Sequence, residues 1–173
     1  ADNGSAVVAV GADGLVMVSD AKQIDWQRQH IAGNPPLVDV ANCPDNSFVA
    51  LSMDKKVWRS SDDGRNWTES ALPTQEEVMA MTCAPDNSVW VVGSFSTILS
   101  SRDGGKNWSE NTLGEDAFLT SVQFIDQQIG FVTGEFGVVS RTDDGGQNWS
   151  MPEYIPNDFY VQGARLNPSI RVG

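Results

Sequence analysis

Short apolar runs recur along this chain, each ended by Gly, Asp, Asn or Pro, and no stretch sustains a helical period. "SAVVAVG" (5–11), "SFVALS" (47–52), "SVWVVG" (88–93) and "IGFVTG" (129–134) are rich in β-branched and aromatic residues, the composition of strands. Each is followed by a tight turn and a second run: "LVMVS" (15–19), "KVWRSS" (56–61), "TILSS" (97–101) and "VVSRT" (138–142). The pairs predict hairpins. A third run opens on tryptophan: "DWQRQ" (25–29), "NWTES" (66–70), "NWSEN" (107–111) and "NWSMP" (148–152). After a loop comes a fourth: "LVDVANC" (37–43), "VMAMTCA" (78–84), "LTSVQFI" (119–125) and "YVQGARL" (160–166).

The spacing is strict. Trp26, Trp67, Trp108 and Trp149 are 41 residues apart, with no insertion or deletion between them. A fixed period of this size marks a repeat architecture, in which each unit buries its apolar face only against its neighbours. Four short strands per period predict an all-β fold, a β-propeller of four-stranded antiparallel blades. The "VMAMTCA" type of run is expected innermost and the tryptophan strand outermost. The repeats fall at about 1–36, 37–77, 78–118 and 119–159, and 160–173 supplies either a closing strand or the start of a fifth repeat. The pattern favours part of a larger, for example seven-bladed, ring, or completion by a second copy in a homo-oligomer, over a closed four-bladed monomer.

Before each tryptophan stands the pattern Ser/Thr-x-Asp-x-Gly-x-x-Trp. Ser60, Asp62, Gly64 and Trp67 carry it, as do Ser101, Asp103, Gly105 and Trp108, and Thr142, Asp144, Gly146 and Trp149. The first repeat, "SDAKQIDW", keeps only Ser19 and Trp26. An Asp side chain accepts hydrogen bonds from its own turn, Gly allows positive φ, and Trp brings a large ring to the blade with one N–H to satisfy. These needs are structural, and the three full tryptophans are expected to be largely buried. The pattern resembles the Asp-box, the bacterial neuraminidase repeat. That resemblance implies a fastener on the blade periphery, remote from any active site, and so a structural role for Asp62, Asp103 and Asp144.

Over all four repeats the chain looks most like the photosystem II stability/assembly factor family. "GEFGVVSRTDDGGQNW" (134–149) and "GSFSTILSSRDGGKNW" (93–108) carry the likeness. It implies a non-enzymatic scaffold that binds a protein, such as a membrane protein complex, outside the cytoplasm in a periplasm, a thylakoid lumen or the exterior. The opening "ADNGSAVV" is compatible with the residue left after export processing, or with an arbitrary cut.

Charge changes part of this picture. The 173 residues carry 23 acidic and 11 basic side chains, a formal net charge of -12. That disfavours nucleic acid and anionic lipid surfaces, whose binding rests on basic patches. It also departs from the basic partner-binding patch that the resemblance implies. No apolar run is long enough to span a bilayer, so no membrane insertion is expected.

No catalytic constellation stands out, and no cofactor or metal is expected. A sialidase needs an arginine triad and a tyrosine nucleophile, yet Arg59, Arg65, Arg102 and Arg141 lie in or beside the repeated turn, and the tyrosines are Tyr154 and Tyr160. A glycosidase needs two carboxylates across a cleft. Asp39, Asp54, Asp116 and Glu135 are candidates without distinguishing context, and a carbohydrate-binding or glycoside hydrolase propeller is the rival reading. His30 stands alone. Cys43 and Cys83 differ by one position within the repeat, so their side chains are expected on opposite strand faces and unbridged. The tight turns "GADG" (11–14), "SMDK" (52–55), "SFST" (94–97) and "EFG" (135–137) share one end of the ring with the inter-blade loops. There Phe95 and Phe136, with Glu135 beside the latter, are the candidate partner-binding residues.

Overall fold

The computed structural model describes residues 1–154, and these are all-β apart from three single 3₁₀ turns. The first sheet holds β1 (Ala6–Val10), β2 (Leu15–Asp20) and β3 (Gln27–His30). The second is β4 (Leu37–Asn42), β5 (Phe48–Ser52), β6 (Lys56–Ser60) and β7 (Thr68–Ala71). The third is β8 (Val78–Cys83), β9 (Val89–Gly93), β10 (Thr97–Ser101) and β11 (Ser109–Thr112). The fourth is β12 (Leu119–Phe124), β13 (Gly130–Gly134), β14 (Val138–Thr142) and β15 (Glu153–Tyr154). Every pairing is antiparallel and sequential, so each sheet is a meander. β4, β8 and β12 lie side by side on the inside, as the innermost strands of propeller blades do. The strand expected at 160–166, the segment 169–173 and Tyr160 lie outside the described residues.

The apolar runs fold this way because a blade has two faces to bury. In β5, Phe48 and Ala50 pack toward the first blade with Val8, Val16 and Trp58, while Val49 and Leu51 pack toward the third. In β9, Val89 and Val91 face back into the second interface, and Trp90 and Val92 face forward into the next. β5 and β9 are therefore buried at all five positions. β1 and β13, at the ends of the described array, alternate instead. Fully burying one such side chain is worth roughly 1.5–3 kcal/mol, so the inter-blade seams dominate stability.

One polar latch recurs between blades. Gln29 of β3 donates its side-chain N–H to the Gly64 carbonyl, and Ser70 of β7 donates its hydroxyl to the Gly105 carbonyl, in each case a bond from the outermost strand to the next blade's repeated turn. In the fourth blade the donor is Arg102, which reaches the Gly145 carbonyl at 2.8 Å.

One expectation is corrected. Cys43 and Cys83 form a disulfide, with Cα atoms 5.1 Å apart. An odd offset sends side chains to opposite faces only within one sheet. These two cysteines belong to successive blades, and stacked blades meet through opposite faces, so an odd offset is what turns the two side chains toward each other. The tryptophans Trp67, Trp108 and Trp149 are mostly covered, each leading an outermost strand and packing on its seam from one side. The fully buried indoles are Trp58 and Trp90, on β6 and β9.

Candidate functional site

The two ends of the blade array differ in how their polar groups are spent. At one end lie the repeated turns. Ser101 Oγ donates to Asp103 Oδ1 at 2.9 Å and accepts the Gly105 N–H at 2.8 Å. Asn107 donates its backbone N–H to Asp103 Oδ1 and its amide to Oδ2, at 2.9 and 2.6 Å. Trp108 Nε1 donates to the Gly105 carbonyl at 3.1 Å. Ser60, Asp62, Gly64, Asn66 and Trp67 repeat this geometry. Thr142, Asp144, Gly146 and Asn148 do so as well, although Trp149 Nε1 is buried there without a partner among the described residues. The glycines need their positive φ of 80°, 93° and 80° to close the turn. In the degenerate first repeat Asp20 accepts the Lys22 and Gln23 N–H groups, and the Asp25 N–H goes to Ser19.

These bonds favour ionised carboxylates. The Asn66 side chain and backbone hold Asp62 down to about 2, and the Asn107 and Asn148 backbone and side-chain donors do the same to Asp103 and Asp144. Neighbouring carboxylates at this end are also engaged. Arg59 pairs with Asp45 and Arg102 with Asp86, both at 2.6 Å. A carboxylate already bound to its own turn has little left for a ligand.

The opposite end is built differently. The turns Ala12–Gly14, Ser94–Ser96 and Glu135–Gly137 stand there beside the inter-blade loops. Ser94 N–H donates to the Glu77 carbonyl and Glu135 N–H to the Phe118 carbonyl, both at 2.9 Å, clamping each turn to the start of its own innermost strand. Glu135 also accepts the Phe118 N–H at 3.3 Å, so part of its carboxylate holds the turn. Phe95 and Phe136 project from these turns with 57% and 67% exposure. Both sit in the left-handed region, at φ 50° and 57°, which is an uncommon conformation for a bulky residue. Asp13 takes the equivalent place in the first blade, at φ 55°.

The structure adds three apolar residues that the sequence reading did not single out. Met53, at the tip of the second blade's turn, is 63% exposed. Val38 and Met79 are 44% and 43% exposed because each sits at a register shift near the start of an innermost strand, where the extra residue bulges outward. A "VD" or "MA" pair in a strand carries no signal of such a bulge.

The four candidate glycosidase carboxylates occupy separate elements. Asp54 and Glu135 lie on turns of the second and fourth blades, about 20 Å apart by two sheet spacings of ~10 Å. That exceeds the ~5–9.5 Å of a hydrolytic pair. Asp116 is on an inter-blade loop. Asp39 lines a cleft of about 630 Å³ between the innermost strands. Burial raises its carboxyl, against hydrogen bonds from the Met81 and Val40 N–H groups. Among the described residues no group of three His, Cys, Asp or Glu is placed to hold a metal ion. No helix among them is long and apolar enough to cross a membrane.

Blades, repeated turns and a loop end with exposed aromatics define a repeat-built β-propeller. The family model described as photosynthesis system II assembly factor YCF48 matches residues 61–157, more than half of the chain, and the chain belongs to that family. Among solved structures it is similar to "YCF48 bound to D1 peptide", at 16% identity and a TM-score of 0.68, covering 84% of this chain and 49% of that one. It is also similar to YCF48 from Cyanidioschyzon merolae, at 15% identity and a TM-score of 0.65, covering 86% and 56%. Virginiamycin B lyase from Staphylococcus aureus shares the fold at 12% identity and a TM-score of 0.70, covering 87% and 55%. The chain thus spans about half the length of these solved neighbours. A comparison with curated proteins finds no match.

Proposed function

We propose that this protein is a non-enzymatic scaffold that binds a protein partner at its loop end, in the manner of an assembly or stability factor. The observation that carries the reading is the placement of Phe95 and Phe136. Two large aromatic side chains are exposed on equivalent turns of adjacent blades, held in a conformation that side chains of their size disfavour. Strained, exposed aromatics supply little folding energy by burial, and rigid aromatics are favoured anchors in protein interfaces. Glu135 belongs to the same surface through the carboxylate capacity left over from the Phe118 bond. The repeated turns, including Asp62, Asp103 and Asp144, act as fasteners only. Family membership supports a role in assembly, and a family structure that carries a D1 peptide makes that peptide a ligand to test. The partner is a protein, as one component of a membrane complex would be.

The Cys43–Cys83 bridge supports a location outside the cytoplasm, since disulfides persist in oxidising compartments. The test is site-specific photo-crosslinking. A photoreactive residue placed at 95 or 136 should trap one partner from a membrane extract, and the same residue at Glu110, on the outermost strand β11, should not. Hydrolysis or saturable binding on a glycan array, with no crosslinked protein, would overturn the proposal.

A further inference from the structure

We propose that the segment docking at this loop end is extended and basic, with apolar residues at every third or fourth position and Lys or Arg between them. The inference rests on the docking reading above and adds the chemistry of the partner. Its first observation is spacing. Met53, Phe95 and Phe136 stand on the turns of three successive blades, and packed sheets lie on the order of 10 Å apart. An extended chain advances ~3.3 Å per residue, so three or four residues span one blade step. Val38 and Met79 extend the apolar row toward the cleft.

The second observation is charge. Asp13, Asp54, Glu77 and Asp116 are exposed among the apolar tips. The side chains of Asp13, Glu77 and Asp116 make no hydrogen bond or ion pair among the described residues. Asp54 has one distant cation, Lys56 at 4.0 Å, which is closer to Glu69. This is the reverse of the repeated-turn end, where Asp45, Asp62, Asp86, Asp103 and Asp144 are all occupied. Of the basic residues at the loop end, Lys55 is spent on the Gln75 carbonyl and Lys56 on Glu69. Unpaired carboxylates between apolar tips select a cationic partner and repel an acidic one, and charge complementarity of this kind sets specificity and encounter rate.

The probes are three fluorescent peptides of about twelve residues, long enough to cross three blades. All carry leucine at every third position, with lysine, glutamate or serine between. Fluorescence anisotropy on the intact chain should show saturable binding of the lysine peptide, about tenfold or more tighter than the glutamate peptide, weakening as salt rises. The variant F95G/F136G, which keeps a residue suited to positive φ at both turns, should lose that binding about tenfold without a fall in thermal stability. The variant D13N/D54N/E77Q/D116N should lose the preference for lysine over glutamate. Equal binding of the three peptides overturns the charge assignment and leaves the docking site standing. Lysine-peptide binding that persists in F95G/F136G overturns the proposal as mere attraction to an acidic protein. Absence of binding by all three also overturns it, and the crosslinking experiment then decides the docking reading separately.

Discussion

Cys43 of the second blade and Cys83 of the third are covalently joined where their innermost strands end, closing a loop of 40 residues. The bond ties two blades that also share an apolar seam, the Ser70–Gly105 latch and hydrogen bonds from the Met81 N–H to Asp39 and from the Asp45 N–H to Asn87. In the chain-entropy view, a loop of that length stabilises the folded state by about 4 kcal/mol. The variant C43S/C83S, or the wild type under reducing conditions, should show a lower denaturant midpoint and a steeper slope, because the uncrosslinked unfolded chain exposes more surface. A midpoint that does not move would mean that the noncovalent contacts alone hold the two blades.

The latch makes a smaller and separable contribution. Gly105 accepts from both Trp108 Nε1 and Ser70 Oγ. Ser70→Ala removes the inter-blade donor and leaves the intra-turn one. The expected loss is about 1 kcal/mol, the net worth of one hydrogen bond, measured by urea denaturation. Trp108→Phe removes the other donor and some ring contact with the same seam, so the two variants should be close to additive only if the carbonyl relaxes independently.

These two ties mark the limit of what sequence conveys. The 41-residue period made strand count, blade order and the repeated turn legible, because one tryptophan every 41 residues fixes the register of everything between. The apolar runs that predicted strands include Phe48–Leu51 and Val89–Val92, which the fold buries on both faces. What stayed hidden depends on how one blade meets the next. Gln29, Ser70 and Asn111 occupy the same repeat position with different side chains, so no pattern announced a latch. The Cys43–Cys83 geometry depends on which faces meet between sheets, and the exposure of Val38 and Met79 depends on a bulge. Phe95 and Phe136 were legible because loop tips with large aromatics depart from turn chemistry.

Acid should unfold this protein through its repeated turns. Asp62, Asp103 and Asp144 are held at about 2, below the ordinary carboxylate value of 3.8. A depressed folded-state value means that the stabilisation is fully present above the unfolded value and is lost as pH falls through the folded one. Melting temperature should therefore be insensitive to these groups near neutrality and fall between about pH 4 and about pH 2. In D62N/D103N/D144N that part of the acid limb should flatten, from a lower starting stability. Asp39 runs the other way, because burial raises its carboxyl, so its contribution weakens as pH rises through the raised value. An unchanged acid limb in the triple variant would assign acid sensitivity to the ion pairs Asp45–Arg59 and Asp86–Arg102 instead.

Replacing the exposed aromatics should separate stability from binding. A non-glycine residue in the left-handed region costs about 1–2 kcal/mol, and glycine avoids that cost while adding roughly 0.5–1 kcal/mol of unfolded-state entropy. Phe95 and Phe136 are 57% and 67% exposed, so little burial is lost with their rings. Phe95→Gly and Phe136→Gly should each leave stability unchanged or raise it by up to about 1 kcal/mol, while partner capture falls. Gly137, which follows Phe136 at φ 74°, already shows that the turn accepts glycine next door. Thermal melts and crosslinking yields on the same preparations would check both halves together. A clear loss of stability in either variant would mean that the ring braces its own turn, and the aromatic would then be structural. A stable variant that no longer captures its partner is the outcome expected of a residue held under strain for the sake of its contact surface.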